Sequence, residues 1–272
     1  MSIFSVSDLH LCDRGYRDNF AVEGREARFY KFLDYVQERG QLYILGDLFD
    51  FWQTNMSAAI VAYLDLLTRL DRMQAVYVVG NHDSDLAHFI GKPSLMPGHP
   101  FFLRETRPFE RTIGGRRFAF LHGNEGDPYC RDANPGTGEI TAIISALLED
   151  RNKGPFKGPF KGPFKQHRAV EDEFIGTLDG ALTLWRKLTF QDGRMDEMLN
   201  GVEAYRKEVG ADVVVYGHTH EAGQIGDYHF NCGTWARTND TFVRIDDDGT
   251  TSVWEWTDRG SVPYDRKLRD AR

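Results

Sequence analysis

Aspartate, asparagine and histidine recur in five short clusters, and these are residue types that bind catalytic metal ions. In chain order the clusters read D-x-H, G-D-x-x-D, G-N-H-D, H-G and G-H-x-H. They contain Asp8, His10, Asp47, Asp50, Asn81, His82, Asp83, His122, His218 and His220. Imidazole nitrogens and carboxylate oxygens without a thiolate suit Mn, Fe or Zn in a catalytic site rather than a structural zinc.

The donor set is large enough for two cations. A bridging carboxylate allows two metal ions about 3.5–4 Å apart, which polarise a phosphoryl group and generate hydroxide at neutral pH. An asparagine oxygen can bind one ion while the histidine beside it stays free for proton transfer or charge stabilisation. Each cluster alone is also ordinary turn or helix-cap chemistry, but five of them in one chain favour a metal centre.

Strand-like and helix-like segments alternate through the first half of the chain and put the clusters at strand ends. β-Prone runs at residues 3–7, 42–45 and 75–79 each precede one cluster. Between them, amphipathic patterns predict a helix over about residues 21–38 and a second helix that Ser57 can cap. Nearly continuous apolar strands predict an α/β sheet with helices on both faces. Such sheets bind ligands at their C-terminal strand ends.

The second half carries the remaining strands and an insertion. Gly114-Gly115 between two β-prone runs predicts a hairpin, and further strands are expected at 211–216, 229–232, 241–245 and 252–256. Two helical stripes within residues 131–190 indicate a helical cap, and a third helix at about 195–208 returns the chain to the core. The expected organisation is a core of residues 1–130 and 191–260, a cap at 131–190 and a tail at 261–272.

The cap contains three consecutive copies of Lys-Gly-Pro-Phe at residues 153–164, followed by Lys165. Proline at every fourth position forbids a helix, so the repeat predicts an extended loop. One interpretation is a tandem duplication, because lengthening a surface loop costs little free energy. The other is a cationic, aromatic flap over an anionic or lipid substrate.

The composition is that of a soluble globular protein. The chain has 272 residues, of which 41% are hydrophobic, and no apolar run is long enough for a transmembrane helix. We expect no signal peptide. Three cysteines without zinc-type spacing favour a reducing, cytoplasmic compartment.

The charge distribution bears on two kinds of binding partner, nucleic acids and small anionic substrates. A formal charge of −8 argues against tracking along nucleic acid. Residues 151–168 nevertheless carry +6, which leaves −14 on the remainder. Two bound dications would offset part of that negative charge locally. The net negative charge therefore does not argue against a small anionic substrate held between two metal ions and a basic cap.

The five clusters, in this order, resemble the motifs of the calcineurin-like metallophosphoesterases, and all five are intact between residues 8 and 220. The resemblance implies a four-layer α/β/β/α metallophosphoesterase sandwich with an inserted helical cap, and a two-metal hydrolase. The implied ligands of one metal ion are Asp8, His10 and His220. Those of the other are Asn81, His122 and His218, with Asp47 as the bridge between the two ions.

The same resemblance implies roles for the three remaining cluster residues. His82 would contact the scissile phosphate and assist the leaving group, and Asp83 would orient His82. Asp50 would support a metal-bound imidazole, as carboxylates commonly do. The two ions are expected to be Mn, with Fe or Zn as alternatives.

Residues around the motifs resemble the UDP-2,3-diacylglucosamine pyrophosphatases of lipid A synthesis. The similar segments are D-L-H-L at 8–11, Y-I-L-G-D-L-F at 43–49 with Trp52, and the helical insertion before G-H-T-H. This resemblance implies Mn-dependent hydrolysis of a nucleotide-lipid pyrophosphate, which releases UMP and a lipid sugar phosphate. It also implies peripheral contact with the inner membrane face through the cap. Two departures leave the substrate open, namely His82 where that family reads G-N-R-D, and Asn124-Glu125 where an Asp is usual.

Substrate contacts and alternative functions follow from the same residues. Side chains near the motif loops that could hold a phosphate or a base are Arg14, Arg17, Asn124 and Arg131, with solvated surface charge as the competing interpretation.

A broader phosphodiesterase, for example for cyclic nucleotides, also uses G-N-H-D. A non-catalytic protein-binding scaffold of this fold typically loses metal ligands, whereas none is missing here. A DNA-repair nuclease is disfavoured by the acidic chain.

Overall fold

The computed structural model describes residues 1–22, 24–89, 105–127, 130, 194–236, 239–265 and 268. Within these residues the strands form two sheets. The predicted cap at 131–190, its Lys-Gly-Pro-Phe repeat and Arg131 lie outside the described residues, so the predicted division of the chain into core and cap stays a prediction. Among the described residues, no helix has both the length and the apolar character needed to cross a membrane.

The first sheet has seven strands in the order β12-β11-β10-β1-β2-β3-β4. β1, β2, β3 and β4 run parallel to one another, whereas β10, β11 and β12 pair antiparallel. The strands are β1 (Ser2–Val6), β2 (Gly40–Leu45), β3 (Val76–Val78), β4 (Glu105–Thr106), β10 (Thr241–Ile245), β11 (Thr251–Thr257) and β12 (Gly260–Pro263).

The second sheet has five strands in the order β5-β6-β7-β9-β8. The strands are β5 (Phe109–Ile113), β6 (Arg116–Phe120), β7 (Val213–Tyr216), β8 (Gly223–Ile225) and β9 (His229–Asn231). β5 and β6 form the predicted hairpin, and both turn glycines have positive φ, as a tight turn of this kind requires. β6 and β7 run parallel.

In the described ranges, four α-helices cover the outer faces of the two sheets. They are α1 (Arg25–Arg39), α2 (Met56–Ala62), α3 (Leu64–Arg72) and α4 (Arg194–Glu208). Successive residues of a strand point to opposite faces of the sheet. Along β1 and β2, one set of side chains therefore faces the helices and the other set faces the second sheet. Phe4 and Ile44 pack with the α1 and α3 side chains, while Ile3 and Tyr43 pack between the sheets against Phe118.

The outer face of the second sheet packs on α4, with Val214 of β7 against Met198 and Val202. The layers are therefore helix, sheet, sheet and helix, and the predicted α/β/β/α sandwich is confirmed. The predicted apolar face of α1 is also confirmed, since its buried side chains include Phe29, Phe32 and Val36.

Several predicted boundaries were wrong for identifiable reasons. The helix expected after Ser57 is two helices that meet at Tyr63, whose hydroxyl donates to buried Asp18 at 2.7 Å. Its N-cap is Asn55, whose side chain accepts from the Ser57 backbone N–H. Residues 261–263, expected in the tail, belong to β12. The short strands β4 and β8 were not predicted.

Candidate metal centre

Five loops meet at one edge of the sandwich because of the order and direction of the strands. β1, β2 and β3 are adjacent and parallel, so the residues that follow them lie side by side. The residues that follow β6 and β7 lie together in the same way in the second sheet. A hydrogen bond from Nδ1 of His122 to the Leu45 carbonyl, at 2.8 Å, joins the two sets of loops.

One group of donor atoms consists of Asp8, His10 and His220, whose ligating atoms lie within 4.8 Å of one another. The Nε2 atoms of His10 and His220 are 2.9 Å apart. Oδ1 of Asp8 is 3.1 Å from the His220 nitrogen and 3.5 Å from the His10 nitrogen. That oxygen is buried and makes no hydrogen bond of regular geometry with the residues that the structure describes. Because an unsatisfied buried oxygen is costly, these three donors facing one another fit a divalent cation.

A second group consists of Asp47, His122 and His218, also within 4.8 Å of one another. Because Nδ1 of His122 donates to a carbonyl, the lone pair of the neutral ring is on Nε2. That nitrogen lies 3.0 Å from Oδ1 of Asn81 and 3.2 Å from Oδ2 of Asp47. An imidazole nitrogen, an amide oxygen and a carboxylate oxygen facing each other also fit a hard or borderline divalent cation.

Asp47 lies between the two groups. Its Oδ2 is 3.2 Å from Nε2 of His122 in the second group and 3.8 Å from Nε2 of His10 in the first group. Its other oxygen, Oδ1, accepts the His82 backbone N–H at 2.9 Å. The carboxylate is thus fixed by the chain and directed at both groups, which is the position that a bridging ligand needs.

The backbone is strained where it presents these donors. In the described part of the chain, seven residues other than glycine have positive φ, and five of them are Asp8, His10, Asp47, His218 and His220. A side chain in this region of φ is uncommon and costs about 1–3 kcal/mol per residue, so such residues concentrate at functional sites.

Glycine is required where the loops approach the donors most closely. A Cβ atom on Gly80 would lie 2.2 Å from Oδ1 of Asp47, and one on Gly217 would lie 2.6 Å from Oδ2 of Asp8. The glycines of G-N-H-D and G-H-x-H therefore make room for the carboxylates, in addition to ending strands.

His82 lies at the exposed side of the donor groups. Its carboxylate partner is Asp50 and not the predicted Asp83. Nδ1 of His82 is 2.9 Å from Oδ1 of Asp50, and its ring stacks on Trp52 at a centroid distance of 3.8 Å. Asp50 also lies 3.5 Å from Nδ1 of His10. One carboxylate therefore faces both a ligand candidate and the candidate catalytic histidine.

The expectation that Asp83 orients His82 was wrong. The Asp83 carboxylate is fully buried and accepts from the Tyr77 hydroxyl, from the Gly80 N–H at 2.7 Å and from the Phe49 N–H at 3.2 Å. It therefore ties the loop after β2 to the loop after β3. Burial, together with the nearby Asp47 charge, raises the pKa of Asp83 to about 6.

Carboxylates and imidazoles this close shift each other's pKa. Burial opposes ionisation of Asp8, but His220 and His10 hold the pKa of its carboxyl well below the ordinary value. Burial likewise opposes protonation of His122, yet the Asp47 carboxylate raises the pKa of His122 to about 10. Protons and cations therefore compete for the same lone pairs, so cation binding is expected to release protons and to strengthen as pH rises.

The proposed substrate contacts are placed less favourably than the ligand candidates. The Arg14 guanidinium pairs with both oxygens of Glu26, at 2.6 and 2.7 Å, and donates to the Ala62 carbonyl. Arg17 donates to the Gln53 carbonyl at 3.4 Å, in the loop that carries Trp52. Asn124 is buried in a short 3-10 helix. Arg131, as noted, lies outside the described residues.

Asp127 is a residue that the sequence analysis missed. It is buried, and its Oδ2 lies 3.0 Å from Nε2 of His218. An N–H donated to this carboxylate would leave Nδ1 as the lone-pair nitrogen of His218. The signal in the sequence was weak, because an aspartate five residues after His122 has no fixed spacing to the G-H-x-H cluster.

Removing the Asp127 carboxylate should weaken metal binding without unfolding the protein. We expect Asp127→Ala to raise the dissociation constant of the weaker-binding Mn²⁺ ion about 10–100-fold, the usual effect of losing a group that orients a ligand. Asp127→Asn should recover part of this affinity because its amide oxygen can still accept from Nε2–H. Calorimetric Mn²⁺ titration measures both, with Asp227→Ala, whose side chain is 86% exposed, as the control. An Mn²⁺ affinity that is unchanged in Asp127→Ala would show that Asp127 does not orient His218 for metal binding.

A family model described as calcineurin-like phosphoesterase matches residues 1–222, whereas the comparison with curated proteins gives no match. A dimetal phosphatase from Danio rerio is 16% identical, with a TM-score of 0.48 and 97% of each chain covered.

Two Vps29 structures resemble this chain with sequence identities and TM-scores close to those of the dimetal phosphatase. Vps29 from Cryptosporidium parvum is 13% identical, with a TM-score of 0.46, and the match covers 97% of this chain and 95% of that one. Vps29 complexed with zinc from Entamoeba histolytica is 14% identical, with a TM-score of 0.42 and 97% of each chain covered. Structural likenesses this weak carry no argument about activity.

Proposed function

The chain belongs to the calcineurin-like phosphoesterase family, and from this premise we propose that it hydrolyses a phosphodiester or pyrophosphate bond with two divalent metal ions. The observation that carries the proposal is the position of Asp47, whose Oδ2 faces His122 of one donor group and His10 of the other. One group alone would suit a structural ion. Two groups that share a carboxylate suit the paired ions of a phosphoryl-transfer site.

The residues of the chain divide the work of hydrolysis between them. When bound, the two metal ions would supply Lewis acidity and a hydroxide nucleophile at neutral pH. His82 has Nδ1 on Asp50, which leaves Nε2 toward the centre at 3.9 Å from Oδ2 of Asp47. Its side chain is 20% exposed, so a substrate can reach it. In the proposal His82 stabilises charge on the phosphoryl oxygens and gives a proton to the leaving oxygen.

For the substrate we propose a nucleotide-lipid pyrophosphate of the UDP-2,3-diacylglucosamine type, cleaved to UMP and a lipid sugar phosphate. The segments around the first two clusters, with Trp52, support it through their resemblance to that enzyme family. We take Mn²⁺ as the activating ion, because the donors are oxygen and imidazole nitrogen. Contact with a membrane surface through the cap, on the cytoplasmic side, belongs to the same proposal.

A second candidate is a phosphodiesterase of broader specificity, for example for cyclic nucleotides. The observation that favours it is His82 in G-N-H-D. An imidazole stacked on Trp52 is shorter than an arginine, and its Nε2 can donate a proton to a leaving oxygen.

A substrate panel with Mn²⁺ separates these two functions. Purified protein is assayed with UDP-2,3-diacylglucosamine, cyclic AMP and an aryl phosphodiester, and we expect kcat/KM to be highest for the lipid nucleotide. Hydrolysis of cyclic AMP and the aryl phosphodiester, with none of UDP-2,3-diacylglucosamine, would refute the proposed substrate and favour the broader phosphodiesterase. No turnover of any, with less than one divalent ion per chain after Mn²⁺ loading, would instead favour a protein-binding scaffold.

A further inference from the structure

A third group of donor atoms borders the metal centre. It consists of Asp127, Cys130 and His218, whose ligating atoms lie within 4.8 Å of one another. Oδ2 of Asp127 is 3.0 Å from Nε2 of His218. The Cys130 N–H donates to the Asp127 carbonyl at 3.2 Å, which holds the cysteine beside the aspartate. Asp127 is 2% exposed and Cys130 is half-buried, so the group is built into the protein yet reachable.

The chemistry of this group differs from that of the two groups already described. Those offer only oxygen and imidazole nitrogen, which suit Mn²⁺, Fe²⁺ or Zn²⁺. A thiolate beside an imidazole and a carboxylate shifts the preference toward softer cations, to Cd²⁺ most strongly and to Zn²⁺ over Mn²⁺. Three protein donors are also the ligand count of a zinc site that keeps a position for water or another ligand, whereas closed structural sites have four.

His218 belongs to both the second group and the third. A neutral imidazole has one lone-pair nitrogen, and the other nitrogen carries the proton. While Asp127 accepts from Nε2–H, Nδ1 is the nitrogen available to the second group. A cation bound by Asp127 and Cys130 would need the lone pair on Nε2, which moves the ring proton to Nδ1. The Cys130 thiol would give its proton to solvent, so one proton leaves for each cation bound.

We propose that Asp127, Cys130 and His218 form a binding site for a soft or borderline divalent cation that competes with the two-metal centre for His218. Occupation of this third site withdraws His218 from the second group of donors. Zn²⁺ or Cd²⁺ in excess then inhibits the Mn²⁺-loaded protein through Cys130, and removal of the soft cation restores it.

Cadmium titration tests the site by a signal that does not depend on turnover. Cd²⁺ bound to a thiolate gives a charge-transfer absorbance in the ultraviolet, whereas Cd²⁺ on nitrogen and oxygen does not. For metal-free wild-type protein we expect this absorbance to saturate at one thiolate per chain. Cys130→Ser should lose the signal while keeping the buried thiols Cys12 and Cys232, which makes it its own control for them. An undiminished signal in Cys130→Ser would overturn the proposal.

Competition for His218 is tested separately. Preloading with Mn²⁺ should raise the Cd²⁺ concentration at half-saturation of the absorbance, and Cys130→Ser should need at least about tenfold more Cd²⁺ for half-inhibition. Cys130→Ala should behave like Cys130→Ser. If Mn²⁺ leaves the cadmium titration unchanged, the two sites do not share His218 and the proposed competition is wrong. Failure of the proposed hydrolase activity would leave the absorbance result standing.

Discussion

Replacing Asp47 by asparagine should lower kcat/KM in saturating Mn²⁺ by at least about 10³-fold, on whichever phosphoric ester the protein hydrolyses best. The Asp47 side chain is 2% exposed, and its Oδ1 accepts the His82 backbone N–H at 2.9 Å. That N–H selects the orientation of an asparagine amide, because it repels the NH₂ group and holds the oxygen. The NH₂ group then takes the place of Oδ2 and points at His122 and His10, where it offers no lone pair.

The same variant should also lose metal. Wild-type protein is expected to bind two Mn²⁺ ions per chain, and Asp47→Asn to fall toward one or none. The rise in Tm that Mn²⁺ gives the wild type should shrink accordingly, since a ligand stabilises the fold only as far as it binds. Asp227→Asn makes the same chemical change at the surface and should alter neither quantity. Two ions per chain and a kcat/KM within about tenfold of wild type in Asp47→Asn would show that this carboxylate does not bridge.

The sequence was most informative where residue type alone restricts the chemistry. Ten polar residues in five clusters predicted which loops meet, because parallel strands place their C-terminal ends at one edge. The alternation of Ile3 and Phe4 between the inner and outer faces of the first sheet follows from the period of a strand. These features depend on local patterns and on the general geometry of sheets, so they can be read without coordinates.

The parts that could not be predicted depend on where side chains point. Asp50 and Asp83 both follow G-D or G-N-H motifs, yet only Asp50 reaches His82, while Asp83 turns inward to Tyr77. Asp127 reaches His218 across 91 residues of sequence. Neither contact leaves a local pattern. The break at Tyr63 also leaves no local pattern; its φ of −118° and ψ of 25° depart from the helix, and its hydroxyl donates to buried Asp18 at 2.7 Å.

The strained backbone gives the motif glycines a structural role beside the candidate ligands. Donors in the left-handed region of φ store free energy that the surrounding packing must supply. Gly46 shows this demand, since it has a φ of +85° and precedes Asp47 directly. A Cβ atom there would lie 2.3 Å from Nδ1 of His122 and 2.4 Å from its Cγ. The loop that presents the Asp47 carboxylate thus runs against the His122 ring.

Gly46→Ala should therefore destabilise the metal-free protein by about 3 kcal/mol or more. About 1–2 kcal/mol comes from the left-handed conformation, and the remainder from displacing His122 and breaking its 2.8 Å hydrogen bond to the Leu45 carbonyl. Urea unfolding of metal-free protein measures the loss without the contribution of metal binding. The variant should also lose most of its stabilisation by Mn²⁺, because a displaced His122 no longer faces Asp47.

Gly115→Ala is the matched control for the backbone. Gly115 has a φ of +81°, close to that of Gly46, but a Cβ atom there would meet nothing within 4 Å. Its substitution should cost only the conformational part, about 1–2 kcal/mol, and should leave stabilisation by Mn²⁺ intact. Equal losses of unfolding free energy in the two variants would mean that backbone strain alone accounts for Gly46. A larger loss in Gly46→Ala, together with weaker Mn²⁺ binding, would instead tie that glycine to the position of His122.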